Sequence, residues 1–223
     1  MIHSSIVKNN DELGKEDPKT STVFENLILF PDETIWDVIY ESITYKENLQ
    51  DNVGTLNEYF FWPKWDSTGT GNLNYVEPDV FLRFEKLDVI IEAKRSDESG
   101  QDDKEWSREI RAYNNEYLKD KKPYILLSVG GNDNMTPEGI VIKGCRKATV
   151  YKCSWLSILI TIDRLKKNPD KKIERQQLRL IDNLILGFES HGVLLFHWMN
   201  TIPFDRYKIS HQSLNTINNS HKY

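Results

Sequence analysis

Two acids and a lysine stand out in NYVEPDVFLRFEKLDVIIEAKRSD, residues 74 to 97. Pro78-Asp79 opens a short apolar run, and Glu92-Ala93-Lys94 closes a second one twelve residues later. Side chains alternate faces along a strand, so Glu92 and Lys94 share a face. Val89, Ile91 and Ala93 take the other face and can pack on a helix. If Glu85 and Lys86 are the two loop residues of a hairpin, Phe84 faces Leu87 and Asp79 lies opposite Glu92; a loop longer by one residue changes that register. Two carboxylates held together repel unless a positive charge sits between them. A hard cation such as Mg²⁺ does that, using Asp79, Glu92 and the backbone carbonyl of Ala93 while keeping waters for chemistry. It lowers the pKa of a bound water and offsets the negative charge that builds at a phosphate. Lys94 would orient the attacking water, stabilise charge, or act as base if its pKa is depressed. A surface hairpin with a plain Glu-Lys pair uses the same residue types. Two apolar strands followed by a helix with an aromatic stripe favour the chemical reading.

The elements that must position these residues follow from the pattern. Thr20-Ser21 offer an N-cap for a helix carrying Val23, Phe24, Leu27 and Ile28, and Pro31 interrupts it. Asp32 caps a second helix with Ile35, Trp36, Ile39 and Ile43 at helical spacing. Residues 46 to 72 read mostly as loop, with Trp62, Pro63 and Trp65 as an aromatic cluster. After the hairpin, DKEWSREIRAYNNEYLKD is an amphipathic helix with Trp106, Ile110, Tyr113 and Tyr117 on one stripe. YILLSV reads as a central strand ended by Gly130-Gly131. Ile140 to Ile142 and Ala148 to Cys153 are shorter strands. Ser154 caps a helix to about Lys167, and another covers roughly Ile173 to Glu189. This order predicts an α/β fold with a central mixed sheet flanked by helices, and not a doubly wound nucleotide-binding fold. One domain is expected over residues 1–223: a core at about 16–165, a helical C-terminal extension at about 166–204 and a polar tail at 205–223.

Composition excludes several classes. The chain has 223 residues, 39% of them hydrophobic and 28% charged, as in an ordinary soluble domain. Its net charge of −5 gives no whole-protein basic signal for nucleic acid, though local patches decide such binding. Two cysteines, Cys145 and Cys153, are too few for a disulfide-stapled fold and read as buried reduced thiols. The N-terminal stretch has no signal-peptide pattern, and the longest apolar run, near Trp155 to Ile162, is too short to span a bilayer. A cytoplasmic protein without a membrane partner is expected.

Pro78-Asp79 followed by Glu92-Ala93-Lys94 resembles the PD-(D/E)XK nuclease superfamily, the restriction-endonuclease-like fold, over roughly residues 16 to 165. The resemblance implies a central sheet of about four strands with helices on both sides. It implies Mg²⁺-dependent phosphodiester hydrolysis, with Mn²⁺ able to substitute, Asp79 and Glu92 as metal ligands and Lys94 as the catalytic lysine. Members often add an acid from an N-terminal helix; Glu16 and Glu25 compete here, and Glu16, shortly before the Thr-Ser cap, is preferred. Some members carry Gln-x-x-x-Tyr on the helix after the lysine strand. The matching residues are Glu109 and Tyr113, so the glutamine is replaced by an acid, and Tyr113 reads more simply as core.

Other residues fit bland roles. His3, His191, His197, His211 and His221 form no close metal-ligand spacing with another His or Cys. Arg108 and Arg111 can reach phosphates, but a solvated helix face is the default. Lys166, Lys167, Lys171, Lys172, Arg175 and Arg179 form a basic run that is either a solvated face or a phosphate-backbone patch. The expected function is a metal-dependent nuclease acting on DNA in a bacterial or phage restriction, defence or repair setting. No sequence-reading domain is evident, so a protein partner or a homodimer would supply specificity. The alternative is a catalytically retired nuclease-like fold serving as a nucleic-acid-binding or assembly module; an RNA substrate is a weaker option.

Overall fold

The computed structural model describes residues 16–98, 100–168 and 173–195. Helices α1 (Glu16–Leu27) and α2 (Asp32–Ser42) come first. Strand β1 (Leu56–Phe61) and a two-stranded ribbon, β2 (Trp65–Asp66) and β3 (Tyr75–Val76), follow. Then come β4 (Val80–Phe84), β5 (Asp88–Ala93), α3 (Asp103–Tyr117), β6 (Tyr124–Val129), β7 (Glu138–Ile140) and β8 (Ala148–Cys153). Helices α4 (Trp155–Lys167) and α5 (Arg175–Ser190) close the described chain.

The main sheet has six strands in the order β1-β4-β5-β6-β8-β7. The β5–β6 and β6–β8 pairs are parallel, and the β1–β4, β4–β5 and β7–β8 pairs are antiparallel. This is the expected α/β mixed sheet, with two more strands than the resemblance implies. The central strands β5 and β6 are buried along their whole length, as the apolar runs DVIIEA and YILLSV demand.

The two faces of the sheet meet different helices. Val89, Ile91 and Ala93 of β5 join α1, α2, α4 and α5 in the larger core. Phe81, Ile90, Leu126 and Val150 pack instead on Trp106, Ile110 and Tyr113 of α3, with Trp65 and Val76 of the ribbon. Helix α5, expected as an extension, buries Ile181, Leu184 and Phe188 in the larger core. Gly187 lets it sit close to α1, since a Cβ there would lie 2.7 Å from Thr22 Cγ2. The polar tail at 205–223 and His197 lie outside the described residues. No helix among the described residues is long and apolar enough to cross a membrane.

Four details depart from the sequence expectation. Helix α1 starts at Glu16, and Thr20 and Ser21 are buried inside it, so they do not cap it. Glu16, Asp17 and Pro18 occupy the first described turn, where acids and proline are well tolerated. Residues 56–61 form an edge strand where loop was expected. Its residues 57 to 60 are exposed, so β1 carries little apolar alternation and is held by backbone bonds to β4. Strand β7 ends at Ile140 instead of running to Ile142. Cys145 is only half-buried, while Cys153 is buried; both are free thiols.

Candidate active site

The β4–β5 register runs from Val80 opposite Ile91 to Arg83 opposite Asp88, and its next step sets Asp79 opposite Glu92. Glu85 and Lys86 form the two-residue loop, and their N–H groups donate to Thr55 O at 2.8 Å and Val53 O at 2.9 Å. Pairing continues across the sheet from Glu92 to Ser128 and from Ser128 to Lys152. Asp79, Glu92, Ser128 and Lys152 therefore form one polar row on the α3 face. The apolar row Phe81, Ile90, Leu126 and Val150 lies behind it. Periodicity alone accounts for this: one step beyond an alternating apolar row, each strand places its next same-face residue at the carboxyl end of β5, β6 and β8.

Asp79 is 7% exposed. Its Oδ1 accepts from Trp62 Nε1 at 3.0 Å and its Oδ2 from Ala93 N at 2.8 Å. Glu92 is 5% exposed, and its Oε1 accepts from Lys94 Nζ at 2.5 Å. Lys94 also donates to Glu105 Oε2 at 2.7 Å. Glu109, on α3 and 3% exposed, meets the Glu92 carboxyl within hydrogen-bond reach, and its Oε2 is buried with no partner. Glu16 accepts from Arg95 N at 2.9 Å and interacts with both Lys94 and Asp79. Glu25 lies nine residues further along α1, about 13 Å away, so Glu16 is the helix acid that reaches the site.

Burial pushes the Asp79 carboxyl well above its ordinary range, and the nearby Glu92 adds to it. Burial likewise pushes Glu92 well up, with Glu109 reinforcing. Burial also raises Glu109, to about 8, and raises Glu16. Burial works against the Lys94 ammonium, but Glu92 and Glu105 outweigh it and hold its pKa above the ordinary lysine value. This direction favours a charge-stabilising role for Lys94 over a base role.

A hard divalent cation fits this donor set. Asp79 and Glu92 supply carboxylate oxygens and Ala93 a carbonyl, the ligand types Mg²⁺ takes while retaining waters. The partnerless Glu109 Oε2 and the raised carboxyl pKa values are what a site short of positive charge shows. No group of three or more His, Cys, Asp or Glu converges as a metal cage among the described residues.

Several residues around the site were not legible. Lys19 donates to Arg95 O at 2.5 Å, so α1 holds both backbone atoms of Arg95 through Glu16 and Lys19. Trp155 Nε1 donates to Lys94 O at 2.6 Å, and Gln101 Nε2 donates to Glu92 O at 3.3 Å. Gly130 has φ +70°, and a Cβ there would lie 2.7 Å from Ser96 O, so the backbone after Lys94 passes where only glycine fits. Trp62 is buried with φ 49°, a conformation rare for a large residue, and aims its indole N–H at Asp79. Trp62→Phe is expected to cost about 1–3 kcal/mol of stability, because it strips a donor from a buried carboxyl. Urea unfolding reads this directly; a wild-type midpoint would show that Asp79 does not depend on the indole.

Other expected residues stay apart from the site. Tyr113 is core: its hydroxyl donates to Asp88 Oδ2 at 2.9 Å, and its ring lies 4.3 Å from that of Tyr124. His191 is buried with Nε2 3.0 Å from Thr22 Oγ1, tying α5 to α1. Lys166 pairs with Asp182 at 2.6 Å and Lys167 with Asp163 at 2.7 Å. Both stand at the far end of α4 from Trp155, about 18 Å from the site end of that helix. Lys171 and Lys172 of that basic run lie outside the described residues.

No family model matches the chain. An uncharacterized protein of Pasteurella multocida (strain Pm70), PM0110, is 30% identical over 162 residues, which is 66% of this chain. This chain spans 59% of that relative's length. Among solved structures, the small subunit of the heterodimeric restriction endonuclease R.BspD6I aligns with a TM-score of 0.32 at 13% identity, over 81% of this chain and 97% of its own. A TM-score at that level is no basis for inferring shared function.

Proposed function

We propose that this protein is a metal-dependent nuclease of the PD-(D/E)XK type that hydrolyses phosphodiester bonds in DNA, in a restriction, defence or repair setting. One observation carries the reading: Asp79 and Glu92 stand opposite each other at the end of one hairpin, with Lys94 and Glu16 at the same point. Asp79, Glu92 and the Ala93 carbonyl would hold the ion. Bound Mg²⁺, or Mn²⁺ in its place, supplies positive charge at the phosphate and a more acidic water. Lys94, kept protonated, orients the attacking water and offsets charge on the phosphate oxygens. Water oxygen bonds to phosphorus as the P–O bond to the leaving strand end breaks, the water's proton passing to solvent and the leaving oxygen taking one from solvent. Glu16 and Lys19 clamp the Arg95 backbone and so fix where Lys94 enters the site. A protein partner or a second copy supplies sequence specificity.

The test is incubation of the pure protein with linear, circular and single-stranded DNA in Mg²⁺, Mn²⁺ or EDTA, beside Glu92→Ala. Metal-dependent cutting absent in the variant is the expected result, with a loss of at least about 10²-fold. Folded protein that neither cuts DNA nor binds Mg²⁺ by calorimetry would favour the retired, binding-module reading. Matched RNA substrates separate the two nucleic acids.

A further inference from the structure

A cavity of about 450 Å³ opens on the outer side of α3, away from the sheet. Lys104, Ser107, Arg108 and Arg111 of α3 line it, with Gly69 and Thr70 of the loop between β2 and β3. Asp103 is the acid among the lining residues, against three cations, in a chain whose net charge is −5. None of the three cations is in an ion pair among the described residues, whereas Lys166 and Lys167 are both paired. Arg111 is held in place: one terminal nitrogen donates to Lys143 O at 2.9 Å. Its stem packs at Gly69, where a Cβ would lie 3.3 Å from Arg111 Cδ.

We infer that this cavity seats the phosphodiester backbone of the nucleic acid and leads it to the acidic site, an inference that rests on the nuclease reading above. Lys104 to Arg111 spans two helical turns, about 10 Å along the axis, which covers more than one phosphate of a strand. That length suits a chain of phosphates better than a single anion. Arg108 stands one turn from Glu105, the carboxylate to which Lys94 donates. Helix α3 thus presents acids to the reacting centre and unpaired cations on the adjoining face. The cations bring the backbone to a site whose own carboxylates would repel it. Lys166 and Lys167 lack both features, being ion-paired and at the far end of α4.

The experiment measures binding without chemistry. A short fluorescein-labelled duplex is titrated in EDTA by anisotropy, over a series of salt concentrations. Lys104→Gln/Arg108→Gln/Arg111→Gln is compared with Lys166→Gln/Lys167→Gln and wild type. The expected result is at least about a ten-fold weaker Kd for the triple variant, with a salt slope smaller by about 2 to 3 and the far-end variant unchanged. Lys104→Gln/Arg108→Gln, at two exposed positions, repeats the test without touching the Arg111 anchor. Unchanged binding in both α3 variants, an equal loss in the far-end variant, or no duplex binding by wild type would each overturn the inference. Cleavage in Mg²⁺ is scored separately. Binding through α3 without cleavage sinks the nuclease reading alone, and cleavage with wild-type binding in the α3 variants sinks the cavity alone.

Discussion

Lys94→Ala is expected to lower single-turnover DNA cleavage by at least about 10²–10³-fold while duplex binding in EDTA stays near wild type. The size follows from position. Lys94 is the cation that bridges Glu92 and Glu105 at the hairpin end, and its pKa is held above the ordinary lysine value. A lysine whose partners favour its charged form is suited to act by charge and donation. Lys94→Gln, which keeps a donor and loses the charge, should recover little of the rate. The pH profile separates the roles further. A lysine acting as base would make the rate climb until it deprotonated, whereas a permanent ammonium leaves no such limb below about pH 10. Wild-type cleavage by Lys94→Ala, with a normal unfolding midpoint, would remove Lys94 from the mechanism.

The site was legible where it depended on strand periodicity alone. The alternation of β5 fixes that Glu92 and Lys94 share a face, and the two-residue loop at Glu85-Lys86 fixes Asp79 opposite Glu92. Both are local consequences of a hairpin. What stayed hidden depends on contacts between distant segments. Trp62 reaches Asp79 only because β1 pairs with β4, and β1 has four exposed residues and no buried alternation to announce it. Lys19 reads as a solvated helix lysine until α1 packs against the chain after Lys94. Glu109 was visible as an acid standing where a glutamine was expected, and Glu105 stands four residues before it on the same helix face. That spacing was the available signal that α3 brings two acids to one place. The helix start at Glu16 was misplaced because Thr20-Ser21 are good capping residues in isolation. Their burial in the packed helix is a tertiary fact.

The metal-free protein is expected to lose stability as pH rises, and Glu109→Gln to remove part of that loss. Burial raises the Glu109 carboxyl to about 8, against the ordinary 4.5 of a solvated glutamate. Between those values the folded protein holds a proton that the unfolded chain has released. Stability is therefore greatest below the unfolded value, falls as pH rises through the window, and levels off above the folded value. For Glu109 alone the fall is on the order of 5 kcal/mol at most, and Asp79 and Glu92, raised in the same direction, add to it. Urea unfolding in EDTA between about pH 5 and about pH 9 gives the slope. Glu109→Gln should flatten it, since a neutral amide fills the same volume and can still donate to Glu92. Saturating Mg²⁺ should flatten the wild-type slope as well, because a cation among the carboxylates lets them ionise within the fold. Equal slopes for wild type and Glu109→Gln would mean that Glu109 ionises in the fold as freely as in water. A slope untouched by Mg²⁺ would mean that these acids do not bind the ion. Burial disfavours ionisation of Asp79, Glu92 and Glu109 alike, so a second positive charge beside them is what would let these acids ionise within the fold.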